Sequence, residues 1–490
     1  MTQPCDLTAV EARRLIGQKR LSPVELVESC IGRIEAVDHA VNAVVARDFE
    51  RARAQAREAE AAIARGEALG ALHGLPLGIK DMEDTAGLRT TYGSPMFRDH
   101  VPRADEGMVA VLRRVGGLVL GKTNTPEFAA GANTRNKVYG ATGNPFDPAR
   151  SAAGSSGGSA VALATGMVPL ATGSDMGGSL RNPAAFCGIV GMRPSPGLVP
   201  SEKRLLGWSS LSVLGPMART VPDLALLLSA MAGDDARDPL AYAVHGEAVR
   251  KPGQFYPPRP VDLAGLRVAM TADFGFAPTE KGIAAAFREK LARLAPLFGA
   301  LEEATPDCAG ADEAFAVKRA VSFLAAFADT FRKTPERLGA NIRANVEEGF
   351  RYSAEDVARA EVLHTALYRR WQEFFGRFDI ILAPAISITP RPWTELYPAE
   401  IDGRPTKSYF HWLALAYAPT LSGHPALSLP VGRDAAGMPF GLQIIGPRGG
   451  DALVLRVAAA LEAFCAEDER LRRPVPDVAA LAKAPPISGM

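Results

Sequence analysis

The chain has 490 residues, 47% hydrophobic and 22% charged, a composition that suits a globular protein with a large core. Basic and acidic residues number 55 and 54, and a net charge of +1 carries no electrostatic footprint for nucleic acid or an anionic membrane. Five widely spaced cysteines (Cys5, Cys30, Cys187, Cys308 and Cys465) lack any CxxC spacing, which argues against a disulfide framework or a zinc site and points to a reducing compartment.

The N-terminus, MTQPCDLTAVEARRL, has no apolar h-region, and no stretch approaches the roughly 18 unbroken apolar residues of a membrane span. A cytoplasmic location away from membranes is therefore expected. Ser22–Leu26, SPVEL, reads as a helix start: Ser22 as cap, Pro23 at the first position, and Glu25 three residues on to close a capping box. Asn42–Arg65 is rich in Ala, Arg and Glu and stops at Gly66, which predicts one long, partly exposed helix.

From Leu72 onward short apolar runs (LPLGIK, GGLVLGK, MVPLAT) sit between glycine-rich turns and helical patterns, such as DEGMVAVLRRVG after the cap candidate Asp105. That alternation predicts an α/β fold. Asp234–Pro260 reads as a connector, and roughly 280–375 as helical. Strands return at Phe378–Pro384, PALSLPVG and PFGLQIIG, and are expected to rejoin the central sheet.

Two motif matches fail on physical grounds. Gly116–Thr123, GGLVLGKT, fits the phosphate-loop pattern, but its central Gly-Leu-Val-Leu favours a buried strand and Pro126 follows where a helix should begin. Gly154–Gly158, GSSGG, fits the nucleophile elbow GxSxG with Ser156 as nucleophile. The preceding NPFDPARSAA has no strand character, and none of His245, His364, His411 and His424 stands in a catalytic context.

Three stretches remain. In GLPLGIKD, Lys80 ends an apolar run. Taken alone this is an ordinary lysine at a strand end, but burial would favour its neutral amine, a potential general base. AGSSGGSA (Ala153–Ala160) and GSDMGGSLRNPAAFCGIVGMRPS (Gly173–Ser195) each read singly as turns. Together, their paired glycines can aim several N–H groups at one point, as an acyl-transfer oxyanion requires.

With HGLPLGIKD, GLVLGKTNTPEFA, GATGNPFDPARSAAGSSGGSA, GPMARTVPDLALLL and GLQIIG, these strings closely resemble the amidase signature hydrolases across roughly Ser22–Leu228 and Phe378–Gly446. The resemblance implies a single large α/β domain whose central mixed, twisted sheet is covered by helices on both faces. Its expected parts are an N-terminal helical segment (1–66), the signature core (67–234), a connector and helical pocket region (235–375), and C-terminal strands and helices (376–490).

It also implies a Ser–cis-Ser–Lys triad, with Ser179 the nucleophile and Ser155, after a cis bond from Gly154, bridging it to Lys80. Backbone N–H groups of Met176, Gly177, Gly178 and Ser179 would hold the oxyanion. Ser156 and Ser174 would stand beside the triad, and Asp175 would anchor the loop. Arg181 can meet a substrate carboxylate, although a structural ion pair is the better reading. Cys187 reads as a packed small hydrophobe.

No metal or cofactor is implied, and the expected partner is a small-molecule amide, with a homodimer as the possible assembly. The alternative is a glutamyl-tRNA amidotransferase A-type subunit that releases ammonia from glutamine, although GLVPSEKRLLGWSSLSVLGPMART looks unlike its text there. A non-catalytic member would need a broken triad, and all three residues are present. The amide itself is not legible. Its pocket is expected from about 200–215 and 310–420, where Phe323, Phe327, Phe350, Tyr352, Tyr409, Phe410 and Trp412 read as core or pocket wall.

Overall fold

The short apolar runs between glycine-rich turns become strands of one eleven-stranded mixed sheet flanked by helices. The computed structural model describes residues 3–244, 247–248 and 252–487. Part of the expected connector, with His245, lies outside them. The strands are β1 (Val44–Arg47), β2 (Pro76–Lys80), β3 (Leu118–Thr123), β4 (Leu170–Asp175), β5 (Val190–Arg193), β6 (Val213–Ala218), β7 (Arg267–Met270), β8 (Ala300–Glu303), β9 (Ile380–Pro384), β10 (Ala426–Arg433) and β11 (Pro439–Ile445).

Their order across the sheet is β1-β3-β2-β4-β6-β5-β10-β11-β9-β7-β8. β2 runs parallel to both β3 and β4, and β7 parallel to β8 and β9; the strands between pair antiparallel. The C-terminal strands do rejoin the sheet, β10 pairing with β5. β2 and β3 are buried at every position, as unbroken apolar runs with helices packed around them should be. The phosphate-loop look-alike is thus a buried strand.

The capping box at Ser22 is present and starts helix Pro23–Val41. The single long helix expected over Asn42–Arg65 is not. Asn42 takes a left-handed conformation and donates to the carbonyls of Tyr139 and Ala141, which ends the preceding helix. β1 then forms against β3, burying Val44 and Ala46, and helix Phe49–Ala64 restarts on the Asp48 cap. Sheet pairing overrides helix propensity here.

Glu106, not Asp105, stands at the N-cap position of helix Gly107–Arg114, without a side-chain cap; Asp105 instead pairs with Arg113 at 3.2 Å. The helical region after 280 holds, except that β8 interrupts it. ALEE lacks strand character by composition and forms only as the sheet edge beside β7. A short strand, Asp147–Ser151, also precedes GSSGG where none was expected. It pairs with Gly143–Asn144 and bridges to Pro392 through Arg150, outside the main sheet.

Candidate active site

Parallel pairing of β2 with β4 sets Leu77 opposite Leu170 and Gly78 opposite Ala171, so the C-terminal ends of both strands open on the same side. Lys80 ends β2 and is fully buried. Its main-chain N–H donates to Thr172 Oγ1 on β4 at 3.0 Å, which fixes the direction of the side chain. Lys80 Nζ meets three hydroxyls: Ser155 Oγ at 2.7 Å, Ser174 Oγ at 2.9 Å and Ser156 Oγ at 3.0 Å. Among the described residues no carboxylate stands within ion-pair distance of it. Burial, only partly opposed by Glu83 and Asp175, lowers its pKa from 10.5 to about 8.

The Gly154–Ser155 peptide is cis. Ser156 follows as the buried cap of helix Gly157–Ala164, and its N–H donates to the Ser179 carbonyl at 3.3 Å, tying the two serine-rich loops together. Ser155 and the half-buried Ser179 open onto one cavity of about 170 Å³. Ser174, Met176 and Gly177 also line it, with Met82, Phe128, Ala129, Gly131, Ser212, Arg319, Phe323, Tyr409 and Leu413. None of the described histidines lines it.

The loop after β4 is held from below by a buried ion cluster. Asp175 accepts from the N–H groups of Gly178 (2.9 Å) and Leu180 (3.2 Å) and pairs with Arg181 at 2.8 Å and Arg193 at 3.5 Å. Burial would raise this carboxyl, but the guanidinium of Arg181, then that of Arg193, hold it down at about 2. One expectation is corrected here, that all four N–H groups face the oxyanion, and the ion pair preferred for Arg181 is present. Gly178's N–H is committed to Asp175, so Met176, Gly177 and Ser179 are left with N–H groups that have no hydrogen bond among the described residues. Arg181 has no donor for a substrate: all five of its N–H groups are taken by Asp175, Ala416 O, Gln443 Oε1 and Thr420 Oγ1.

Two features escape the sequence reading. On β3, Lys122, opposite Ile79, donates to the Glu83 carbonyl and, at 2.9 Å, to Thr85 Oγ1. Glu83 also accepts from Thr172 Oγ1 at 3.2 Å. The acid-rich GIKDMED is the signal that could have marked this pair. The other feature is Arg319, on helix Ala311–Lys333, at the cavity wall; no local pattern marks it. Of the aromatic candidates, Phe323 and Tyr409 line the cavity, Phe327 packs on Phe128 at 4.8 Å between ring centroids, and Phe350 is 44% exposed. Cys187 is buried, as expected of a packing residue.

A buried lysine among serine hydroxyls thus stands at the open end of parallel strands in a helix-flanked mixed sheet. The amidase family profile matches residues 25–455. The acylamidase of Rhodococcus erythropolis is 35% identical over 460 residues, covering 93% of this chain and 95% of the relative. The A-type subunit of the glutamyl-tRNA(Gln) amidotransferase of Geobacillus kaustophilus is 34% identical over 499 residues, covering 96% and 99%. A bacterial aryl acylamidase of the amidase signature family superposes with a TM-score of 0.87 at 27% identity, covering 98% and 99%. The chain belongs to the amidase family and is a hydrolase of carbon–nitrogen bonds. No helix among the described residues is long and apolar enough to cross a membrane.

Proposed function

We propose that this amidase cleaves small acyl or aryl amides through an acyl-enzyme on Ser179, with Ser155 and Lys80 as its proton relay. The observation that carries the reading is Lys80: a buried amine whose side-chain hydrogen-bond partners among the described residues are all hydroxyls, its pKa lowered toward neutrality. The neutral amine takes the Ser155 proton while Ser155 takes that of Ser179. Ser179 Oγ bonds to the amide carbonyl carbon, and the carbonyl oxygen gains the negative charge. The N–H groups of Met176, Gly177 and Ser179 receive it. As the C–N bond breaks, the proton on Lys80 returns through Ser155 to the leaving nitrogen. Water then attacks the ester by the same relay and releases the acid.

The similarity to the amidotransferase's A-type subunit favours a second reading, ammonia release from glutamine. No acidic side chain among the described residues lines the cavity, so glutamine's ammonium would have no counter-charge there. We therefore put the small-amide reading first. The test is labelling of the purified chain with a fluorophosphonate and mapping of the modified peptide. Label on Ser179 that is absent from Ser179→Ala supports the reading. Label on Ser156, or undiminished amide turnover by Ser179→Ala, refutes it.

A further inference from the structure

Arg319 is 7% exposed, yet among the described residues it has no carboxylate within ion-pair distance. An uncompensated buried charge is costly, and two of the other buried arginines among the described residues have a carboxylate beside them. Arg181 and Arg193 share Asp175, while Arg219 donates to three main-chain carbonyls. Arg319, like Arg219, has only neutral hydrogen-bond partners among the described residues, but unlike Arg219 it lines the cavity. Nε donates to Asn345 Oδ1 at 3.2 Å and to the Tyr409 hydroxyl at 3.0 Å. Nη2 also donates to that hydroxyl, and Nη1 reaches Met176 Sδ at 3.6 Å. Phe323, Tyr409 and Phe410 stand around the guanidinium with ring centroids 4.9–5.6 Å away. One N–H on each terminal nitrogen is left without a partner among the described residues.

Tyr409 shows the same incompleteness from the other side. Its oxygen accepts from Arg319 and, at 2.8 Å, from Asn345 Nδ2. Its own proton has no acceptor among the described residues. Both Arg319 and Tyr409 line the cavity that Ser155 and Ser179 open onto. A guanidinium with spare donors and a phenol with a spare proton, held side by side on one wall, form a built site for a planar monoanion. A single positive charge in about 170 Å³ suits a carboxylate better than a more highly charged phosphate.

We propose that Arg319 and Tyr409 form an anion subsite that selects amides carrying a carboxylate and no ammonium group. The inference rests on the small-amide reading above and narrows its substrate class. It moves the acid-recognising role, first considered for Arg181, to a residue with donors to give.

The test uses the 4-nitroanilides of succinic, glutaric and adipic acids, each as the free acid and as its methyl ester. For at least one chain length, wild-type kcat/KM should favour the acid by roughly tenfold or more, the scale of one charge-assisted hydrogen bond. The preference should lie in KM. Arg319→Met should bring the ratio close to one, and Arg319→Lys should restore part of it. Tyr409→Phe should lower the ratio less than Arg319→Met.

A ratio unchanged between wild type and Arg319→Met at all three lengths overturns the proposal. Calorimetric titration of succinate, glutarate and adipate into Ser179→Ala, with and without Arg319→Met, gives a readout free of turnover. No saturable binding of any of the three, or binding indifferent to Arg319, overturns it equally. Amide cleavage that survives in Ser179→Ala would instead remove the nucleophile assignment and leave the Arg319 ratio to be read on its own.

Discussion

At the scale of single residues, the proposed relay makes Lys80 the group that sets how the chemistry responds to pH. With the pKa lowered to about 8, roughly one molecule in ten holds the neutral amine at pH 7, against fewer than about one in a thousand for an unperturbed lysine. Activity should therefore rise with pH through about 8 and level off above it, as a kcat/KM profile will show. Lys80→Met should lower turnover by roughly 100- to 10,000-fold and remove that rise. Ser179→Ala should lower it by roughly 10,000-fold or more, measured on the same substrate. Stability carries a linked signature. Between about pH 8 and 10.5 the unfolded chain still holds the lysine proton and the folded chain does not, so stability increases with pH across that window, by up to ~3 kcal/mol. Denaturant titrations at pH 8 and pH 10 should show a larger gain for wild type than for Lys80→Met.

The element that matters most is the loop between β4 and helix Arg181–Cys187. Gly178 has φ 101°, and a Cβ there would stand 2.4 Å from Asn182 Oδ1 and 2.5 Å from Ala416 Cβ. Gly178→Ala should lower the melting temperature by several degrees, the outcome of overpacking by about 1–3 kcal/mol, and slow fluorophosphonate labelling of Ser179 at least tenfold. Asp175→Asn leaves Arg181 and Arg193 buried beside a neutral group and should cost about 3–5 kcal/mol, read as a shift in the denaturation midpoint. This loop was legible in the sequence because its parts are contiguous: GSDMGGSLR spells the strand end, the turn and the arginine in order. The commitment of Gly178's N–H was not, since a glycine's donor looks the same in sequence whether it faces a cavity or a carboxylate. The break at Asn42 was hidden for a related reason. VVAR becomes a strand only because β3 offers an edge, and β3 lies more than seventy residues away. Arg319 and Tyr409 sit on a helix and a distant loop, so neither period nor motif joins them.

Across the whole molecule, hydrophobic packing divides unequally. The main core spans the sheet and most helices, while a small cluster of Ala130, Phe323, Leu338, Ile342 and Val346 stands apart from it. Phe323 belongs to that cluster and also lines the cavity, so the wall carrying Arg319 rests on the smaller core. Stability should be lower there. In hydrogen exchange, amides of residues 323–346 should open at lower free energy than those of β2, β4 and β11, and fluorophosphonate adduct formation should slow their exchange more than it slows the sheet's. Uniform protection across both regions would contradict this division.

The guanidinium of Arg181 bonds to Gln443 on β11, 262 residues further along the chain. The loop bearing Ser179 is thereby fastened to the strand of the main sheet that is synthesised after the other ten. A nascent chain that has finished β4 already contains Lys80, Ser155 and Ser174, but lacks the carboxamide that completes Arg181's shell. On the proposed mechanism hydrolytic competence waits until synthesis reaches β11, and a message truncated before Gln443 yields a chain whose signature motif is intact but whose Arg181 lacks one of its partners.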